Sequence, residues 1–178
     1  GSMMAQSGRD PLMWAALAVS NQDAPHSGET CLRCHLGKGW LEGRSAPEDG
    51  TAMTADDRQG VQCGLCHRFV DPVADPGNPT EDTAILAGLS APVPAFGNAM
   101  MVVDPADRLR GPFDLLADLG SDPHLPSRST LVSPFHRDSA MCGTCHNLRN
   151  PAFTRNDLTG EYELNALDTP GDQTKGFP

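Results

Sequence analysis

The pentapeptide Cys-x-x-Cys-His occurs three times in this 178-residue chain, at residues 31–35, 63–67 and 142–146. The three copies contain all six cysteines, which are Cys31, Cys34, Cys63, Cys66, Cys142 and Cys145. Each copy ends in a histidine, namely His35, His67 or His146. Any fold of this chain must therefore place three pairs of thiols, each pair beside an imidazole.

This pentapeptide is typical of c-type haem attachment, in which two thiols bond the porphyrin's vinyl groups and the adjacent imidazole ligates iron. Zinc binding and disulfide formation are the alternative interpretations of six cysteines. Neither alternative requires a histidine after the second cysteine, and that histidine is present all three times. The sequence therefore predicts three haem c groups, with His35, His67 and His146 as proximal iron ligands.

Three further histidines, His26, His124 and His136, lie outside the motifs. Three irons with two axial imidazoles each require six histidines, which is the number present. We therefore predict that these three histidines are distal iron ligands, although spacing does not assign any of them to a particular iron. The alternative for each is a solvated surface histidine. Methionine competes as an axial ligand, and the candidates are Met53, Met100, Met101 and Met141.

The composition predicts a small protein core. Only 38% of the residues are hydrophobic, and the chain contains 18 glycines and 16 prolines. We expect the porphyrins to supply the missing apolar mass. The predicted fold is mainly α with extensive irregular loops, a small haem-packed triheme cytochrome c fold with little or no β structure. Residues 100–103 are the only β-prone run.

The chain divides by composition into three parts. Residues 1–9 are interpreted as a tag or disordered start, since the opening Gly-Ser-Met is typical of a cloning scar. Residues 10–155 form the predicted triheme domain, and residues 156–178 a loop-like tail. The abrupt end of that tail leaves open that the chain is a piece of a longer protein with further haem modules.

The charge of the chain limits its partners. The formal net charge is −10, and a nucleic-acid partner is excluded because phosphate binding needs clustered Lys and Arg. A redox protein that is basic at its contact face fits this sign. The sequence has no apolar run of the ~18 residues that a membrane span needs. Covalent haem attachment normally occurs outside the cytoplasm, so we expect a periplasmic or otherwise exported protein.

The motifs, together with the run Ser-Pro-Phe-His-Arg-Asp-Ser at residues 133–139, resemble the multihaem c-type cytochromes. The arrangement is similar to the lineage of octahaem hydroxylamine oxidoreductase and its tetrahaem acceptor cytochrome. The resemblance extends over about residues 10–155. It implies that a histidine shortly upstream of a motif, such as His136, ligates the iron of a neighbouring haem. The Cys-x-x-Cys-Lys motif that similar nitrite reductases use at their catalytic haem does not occur in the sequence.

The first functional hypothesis is one-electron transfer, because three six-coordinate irons leave no open position for a substrate. The alternative is a fragment or relative of a catalytic multihaem oxidoreductase that acts on small nitrogen or sulfur species. That alternative requires one iron without its distal ligand, and His26 is the residue most easily left free. Self-association, with conduction through haems stacked between subunits, is a third possibility.

Overall fold

The computed structural model describes residues 2–93, 96–115, 117, 130–148 and 153–165. The chain forms two compact units, Gly1–Arg68 and Phe69–Pro178. The first unit contains the first two Cys-x-x-Cys-His motifs, and the second unit contains the third. The motifs are therefore distributed over two separately packed parts of the chain.

The first unit is helical in its described residues. Its elements are a 3₁₀-helix at Met4–Arg9, α1 at Pro11–Asp23, α2 at Ser27–His35, α3 at Gly37–Leu41, a 3₁₀-helix at Asp57–Gln59 and α4 at Cys63–Cys66. α1 begins where Asp10 accepts a hydrogen bond from the Leu12 backbone N–H, with Pro11 at the first helical position. Residues 4–9, which belong to the segment interpreted from its sequence as a tag or disordered start, form a helical segment in which Gly8 is buried.

A hydrophobic cluster of protein side chains fills the first unit. Its buried members are Met13, Leu17, Leu32, Leu36 and Met53, with Trp14 and Cys31 packed against them. α1 contributes Met13 and Leu17, whereas Leu32 comes from α2. Burial of one such side chain stabilises a fold by roughly 1.5–3 kcal/mol. The predicted haem-packed core is wrong for this unit, because these two helices already bury a core of their own.

The second unit mixes short helices with short strands. Its elements are β1 at Phe69–Val70, α5 at Thr80–Ala87, β2 at Val102–Val103, β3 at Leu109–Gly111, β4 at Thr130–Val132, a 3₁₀-helix at Pro134–Arg137, α6 at Ser139–His146, β5 at Phe153–Arg155 and β6 at Tyr162–Leu164. The strands form three two-stranded sheets. β1 pairs antiparallel with β2, β3 pairs parallel with β4, and β5 pairs antiparallel with β6.

The predicted fold class, mainly α with little or no β, is therefore wrong. Of the described residues, 43% are helical and 11% lie in strands, which makes this a small mixed α/β protein. Each strand in the described residues has only two or three residues. Alternation of apolar and polar residues identifies strands of four residues or more. Strands this short leave no such pattern in the sequence.

No helix in the described part of the chain is long and apolar enough to cross a membrane. The longest, α1, has 13 residues. A transmembrane helix needs about 20.

A buried ion-pair network occupies the interior of the second unit. The Arg110 side chain is fully buried, and its Nη2 lies 2.5 Å from Asp82 Oδ1 and 2.8 Å from Asp104 Oδ2. Arg108 Nε also contacts Asp104 Oδ2, at 2.9 Å. Burial acts to raise the pKa of Asp104, but hydrogen bonds from Arg108 and Arg110 outweigh it, so that the net pKa is lowered. The network ties α5 to β3 and to the residues that precede β3.

A second ion pair, between the half-buried Arg44 and the buried Asp57, lies in the first unit. Asp57 is fully buried, and its Oδ1 and Oδ2 accept from Arg44 Nη2 at 2.5 Å and Nε at 2.7 Å. The Thr54 backbone N–H and hydroxyl both donate to Asp57 Oδ2 at 2.8 Å. The Arg44 hydrogen bonds, aided by Thr54 and opposed by burial, lower the pKa of Asp57 to about 2. The pair joins the segment after α3 to the 3₁₀-helix that precedes the second motif.

We expect the Arg44–Asp57 pair to make folding sensitive to acid. The pKa of Asp57 falls from an ordinary 3.8 to about 2 in the folded chain, which corresponds to about 2 kcal/mol of stabilisation. That stabilisation is fully present above the unfolded value and is lost as the pH falls through about 2. Urea unfolding at about pH 6 and about pH 3, which is already below the ordinary pKa of 3.8, measures the first part of this loss.

The variant Asp57→Asn should show a smaller loss of unfolding free energy between these two pH values than the unchanged chain. Asp56→Asn is the control, because Asp56 pairs with Lys38 at the exposed surface, where an ion pair contributes little. Identical pH dependence in the Asp57→Asn variant and the unchanged chain would contradict the assignment.

Candidate functional site

Each of the three motifs lies on a short helix. Cys31, Cys34 and His35 form the end of α2, and Cys142, Cys145 and His146 form the end of α6. Cys63 and Cys66 are the first and last residues of α4, and His67 follows directly. Residues three and four apart on a helix share one face. Each helix therefore presents two thiols and an imidazole on the same side.

A residue between the two cysteines fixes each helix to its unit. Leu32, Leu65 and Thr144 occupy this place, and their exposed fractions are 0%, 3% and 4%. Leu65 and Thr144 stand two residues after the first cysteine, which places them ~200° around the helix and away from the thiols. Cys63 and Cys142 are exposed. Burial of the intervening side chain thus turns the first thiol of the second and third motifs outward, whereas Cys31 of the first motif packs against the core of the first unit.

The first two motifs are held together by a contact between Gly37 and Leu65. Gly37 lies two residues after the first motif, and a Cβ placed on it would lie 2.2 Å from Cδ2 of Leu65. A real Cβ cannot come this close, so a larger residue at position 37 would displace the Leu65 side chain from this place. The sites at residues 31–35 and 63–67 are therefore neighbours within the first unit.

The third motif is held by the segment at residues 96–99. The Ala99 backbone N–H donates to the Thr144 carbonyl at 3.0 Å, and the Asn98 N–H donates to the Asn147 carbonyl at 2.9 Å. The last carbonyls of a helix have no partner within the helix. This segment supplies partners for two carbonyls at the end of α6, beside His146.

Gly97 brings the segment close to α6. Its φ is +128°, and a Cβ placed on it would lie 2.2 Å from the Asn147 carbonyl oxygen. The preceding residue, Phe96, stacks on Phe135 with 5.6 Å between the ring centroids. The third motif is thus positioned by backbone contacts from a part of the chain that contains no cysteine or histidine.

The six cysteines, all of which lie among the described residues, form no disulfide bond. Within the described part of the chain, no three or more Cys, His, Asp or Glu side chains are arranged to hold a metal ion. Covalent haem attachment needs only one thiol pair and one imidazole at each site. The residues present at each motif fit that group.

The three motif histidines differ in burial. His35 is half-buried, and its Nδ1 is buried without a hydrogen-bond partner among the described atoms. A buried polar atom of this kind calls for a partner that the described protein atoms do not supply. The backbone carbonyl of His35 accepts from the Ser7 hydroxyl at 3.0 Å. His67 and His146 are exposed.

Two of the three predicted distal ligands lie in the described chain. His26 directly precedes α2 with φ +66°, and its Nδ1 lies 2.9 Å from Glu48 Oε1. This hydrogen bond lowers the pKa of Glu48. His136 is half-buried in the 3₁₀-helix before α6, with its ring edge-on to Phe135 at 6.0 Å. His124 lies outside the described residues. Ligation by all three stays a prediction.

The residues that position the motifs were not predicted from the sequence. Gly37 and Gly97 could have been singled out as close-approach glycines only with knowledge of their neighbours. Glu48 sits in a polar loop and carries no signal of its own. Leu65 could have been found, because an apolar residue inside an otherwise polar or small-residue motif indicates a buried side.

Comparison with known proteins identifies no relative of this chain. No protein-family model matches the chain, and no curated protein or solved structure matches it. The resemblance to multihaem cytochromes therefore rests on the three motifs and on residues 133–139.

We predict that Gly97→Ala destabilises the second unit. A non-glycine residue at this φ costs about 1–3 kcal/mol through backbone strain, and the close Asn147 carbonyl adds to that cost. Gly88→Ala is the control, because Gly88 has φ −84° and its added Cβ would make only ordinary contacts at 3.5 Å. Urea unfolding followed by circular dichroism measures both. Equal midpoints for the two variants would show that residues 96–99 do not hold α6.

Proposed function

We propose that this chain is a triheme c-type cytochrome that carries electrons through three covalently attached haems. The observation that carries the proposal is that each Cys-x-x-Cys-His motif lies on a short helix whose intervening residue is buried, with the first cysteine of the second and third motifs exposed. A zinc site would need four ligands around one ion, and a disulfide would join the cysteines to each other. Three separate pairs of thiols, each with its own imidazole, favour haem attachment over both.

The six cysteines and the six histidines have different proposed roles in haem binding. The cysteines form thioether bonds, and His35, His67 and His146 are the proximal iron ligands. His26, His136 and His124 are proposed as distal ligands. When bound, haem supplies reversible one-electron chemistry. With both axial positions filled by imidazole, no position is left for a substrate, so the proposed role is an electron carrier and not an enzyme.

The charge of the chain supports a protein partner of opposite sign. The formal net charge is −10, and complementary charge speeds the encounter of redox partners. We propose a redox protein that is basic at its contact face, with self-association or further haem modules as other contacts, and an exported or periplasmic location. We also propose membership of the multihaem c-type cytochromes, on the motifs and on residues 133–139.

Haem content tests the proposal directly. Produced together with a haem-attachment machinery, the chain should have an intact mass equal to the polypeptide plus three haems. The double variant Cys63→Ala and Cys66→Ala should carry two. Gly64→Ala is the matched control in the same motif, since a Cβ there meets no atom within 4 Å, and it should keep three. A colourless protein with the mass of the bare polypeptide would refute the function.

Spectroscopy separates electron transfer from catalysis. We expect all three ferric haems to be low-spin, because two strong-field imidazoles occupy each iron. Addition of cyanide, nitrite or hydroxylamine should leave the visible and electron paramagnetic resonance spectra unchanged. A high-spin component that responds to one of these molecules would instead support the catalytic alternative.

A further inference from the structure

The backbone of His26 adopts a left-handed conformation in the turn that joins α1 to α2. Its φ is +66°, in the left-handed region, and its side chain is 83% exposed. A non-glycine residue rarely adopts this conformation, because it costs about 1–2 kcal/mol. Because the side chain is exposed, its packing contributes little energy to offset that conformational cost. The conformation therefore points to a role for the imidazole itself.

The loop that contains Glu48 is hydrogen-bonded, through the Asn21 side chain, to the first turn of α2. The Asn21 side chain donates from Nδ2 to the Glu48 carbonyl at 2.9 Å and accepts at Oδ1 from the Gly28 backbone N–H, also at 2.9 Å. A Cβ placed on Gly28 would lie 2.5 Å from the Glu48 carbonyl oxygen. Glycine at this position therefore lets the loop approach the first turn of α2. The main chain of Glu48 is thus fixed beside the N-terminus of the helix that carries the first motif.

From this fixed main chain, the Glu48 carboxylate reaches the His26 ring. Its Oε1 lies 2.9 Å from His26 Nδ1. A carboxylate only accepts hydrogen bonds, so the ring donates from Nδ1, and Nε2 is the nitrogen left for a metal. This is the tautomer that a metal-ligating histidine uses when a carboxylate holds its other nitrogen.

We propose that Glu48 is a positioning residue that presents His26, through Nε2, as an axial ligand to a haem iron. The inference rests on the proposed haem function and assigns a part to a residue outside all three motifs. Hydrogen bonding from Nδ1–H to a carboxylate raises the basicity of the ligating nitrogen. A more basic axial ligand stabilises ferric iron, so Glu48 lowers the reduction potential of the one haem that His26 serves.

The variant Glu48→Gln tests this in the full chain loaded with haem. Glutamine keeps an accepting oxygen but loses the charge. In a redox titration, one of the three reduction steps should move to higher potential and the other two should stay in place. Asp23→Asn is the matched control, because it removes the same charge from an exposed residue three positions before His26 without touching the His26–Glu48 hydrogen bond. It should move no step by a comparable amount.

The variant His26→Gly provides the second readout. Glycine accepts φ +66° without strain, so the fold is not threatened by this change. One of the three ferric haems should become high-spin, and added imidazole should return it to the low-spin state. A purely structural role for His26 does not give rescue by imidazole.

The outcomes separate the inference from the function on which it rests. Three attached haems with a Glu48→Gln titration identical to the unchanged protein, or with a shift that Asp23→Asn reproduces, overturn the role of Glu48. Three haems that all stay low-spin in His26→Gly overturn ligation by His26. A protein with no attached haem refutes the proposed function, and the inference fails with it.

Discussion

Burial of one residue inside each Cys-x-x-Cys-His motif is the constraint on which the rest of the arrangement depends. Leu32, Leu65 and Thr144 are almost fully buried, whereas the cysteines beside them are half-buried or exposed. A helix that buries one face presents the opposite face to solvent. The same side chain therefore anchors the motif and, in the second and third motifs, turns the first thiol toward solvent. This explains how helices as short as α4, with four residues, hold a defined orientation.

The motifs and their helices could be predicted from the sequence, whereas the fold around them could not. The start of α1 depends on Asp10 and Pro11, two neighbouring residues whose capping role is a local interaction. The parallel pairing of β3 with β4 joins Leu109 to Thr130 across 20 intervening residues, and three-residue strands carry no periodic signal. The core of the first unit was missed for a related reason. The chain as a whole is poor in apolar residues. The apolar side chains of α1 and α2, among them Met13, Leu17 and Leu32, nevertheless pack together into one core.

Buried ion pairs supplement a small apolar core in both units. Asp57 is buried against the half-buried Arg44 in the first unit, and Arg110 is buried with Asp82 and Asp104 in the second unit. Such pairs add little net stability compared with apolar side chains of the same volume, since both charges must leave water. Loss of one partner is costly, however, because it leaves the other charge buried. We infer that these pairs select one arrangement of loops that the hydrophobic core alone would leave undetermined.

Glycine performs a related task at the motifs, through close approach between chain segments. Gly37 admits Leu65, Gly28 admits the Glu48 carbonyl, and Gly97 admits the Asn147 carbonyl, each at a distance that a Cβ would forbid. All three contacts place a second segment directly against a helix that carries a motif or against the residues beside it. A high glycine content usually indicates flexible loops, since glycine has the most conformational freedom to lose on folding. At these three positions glycine has the opposite effect, because it allows the close backbone contacts that hold the motifs in place.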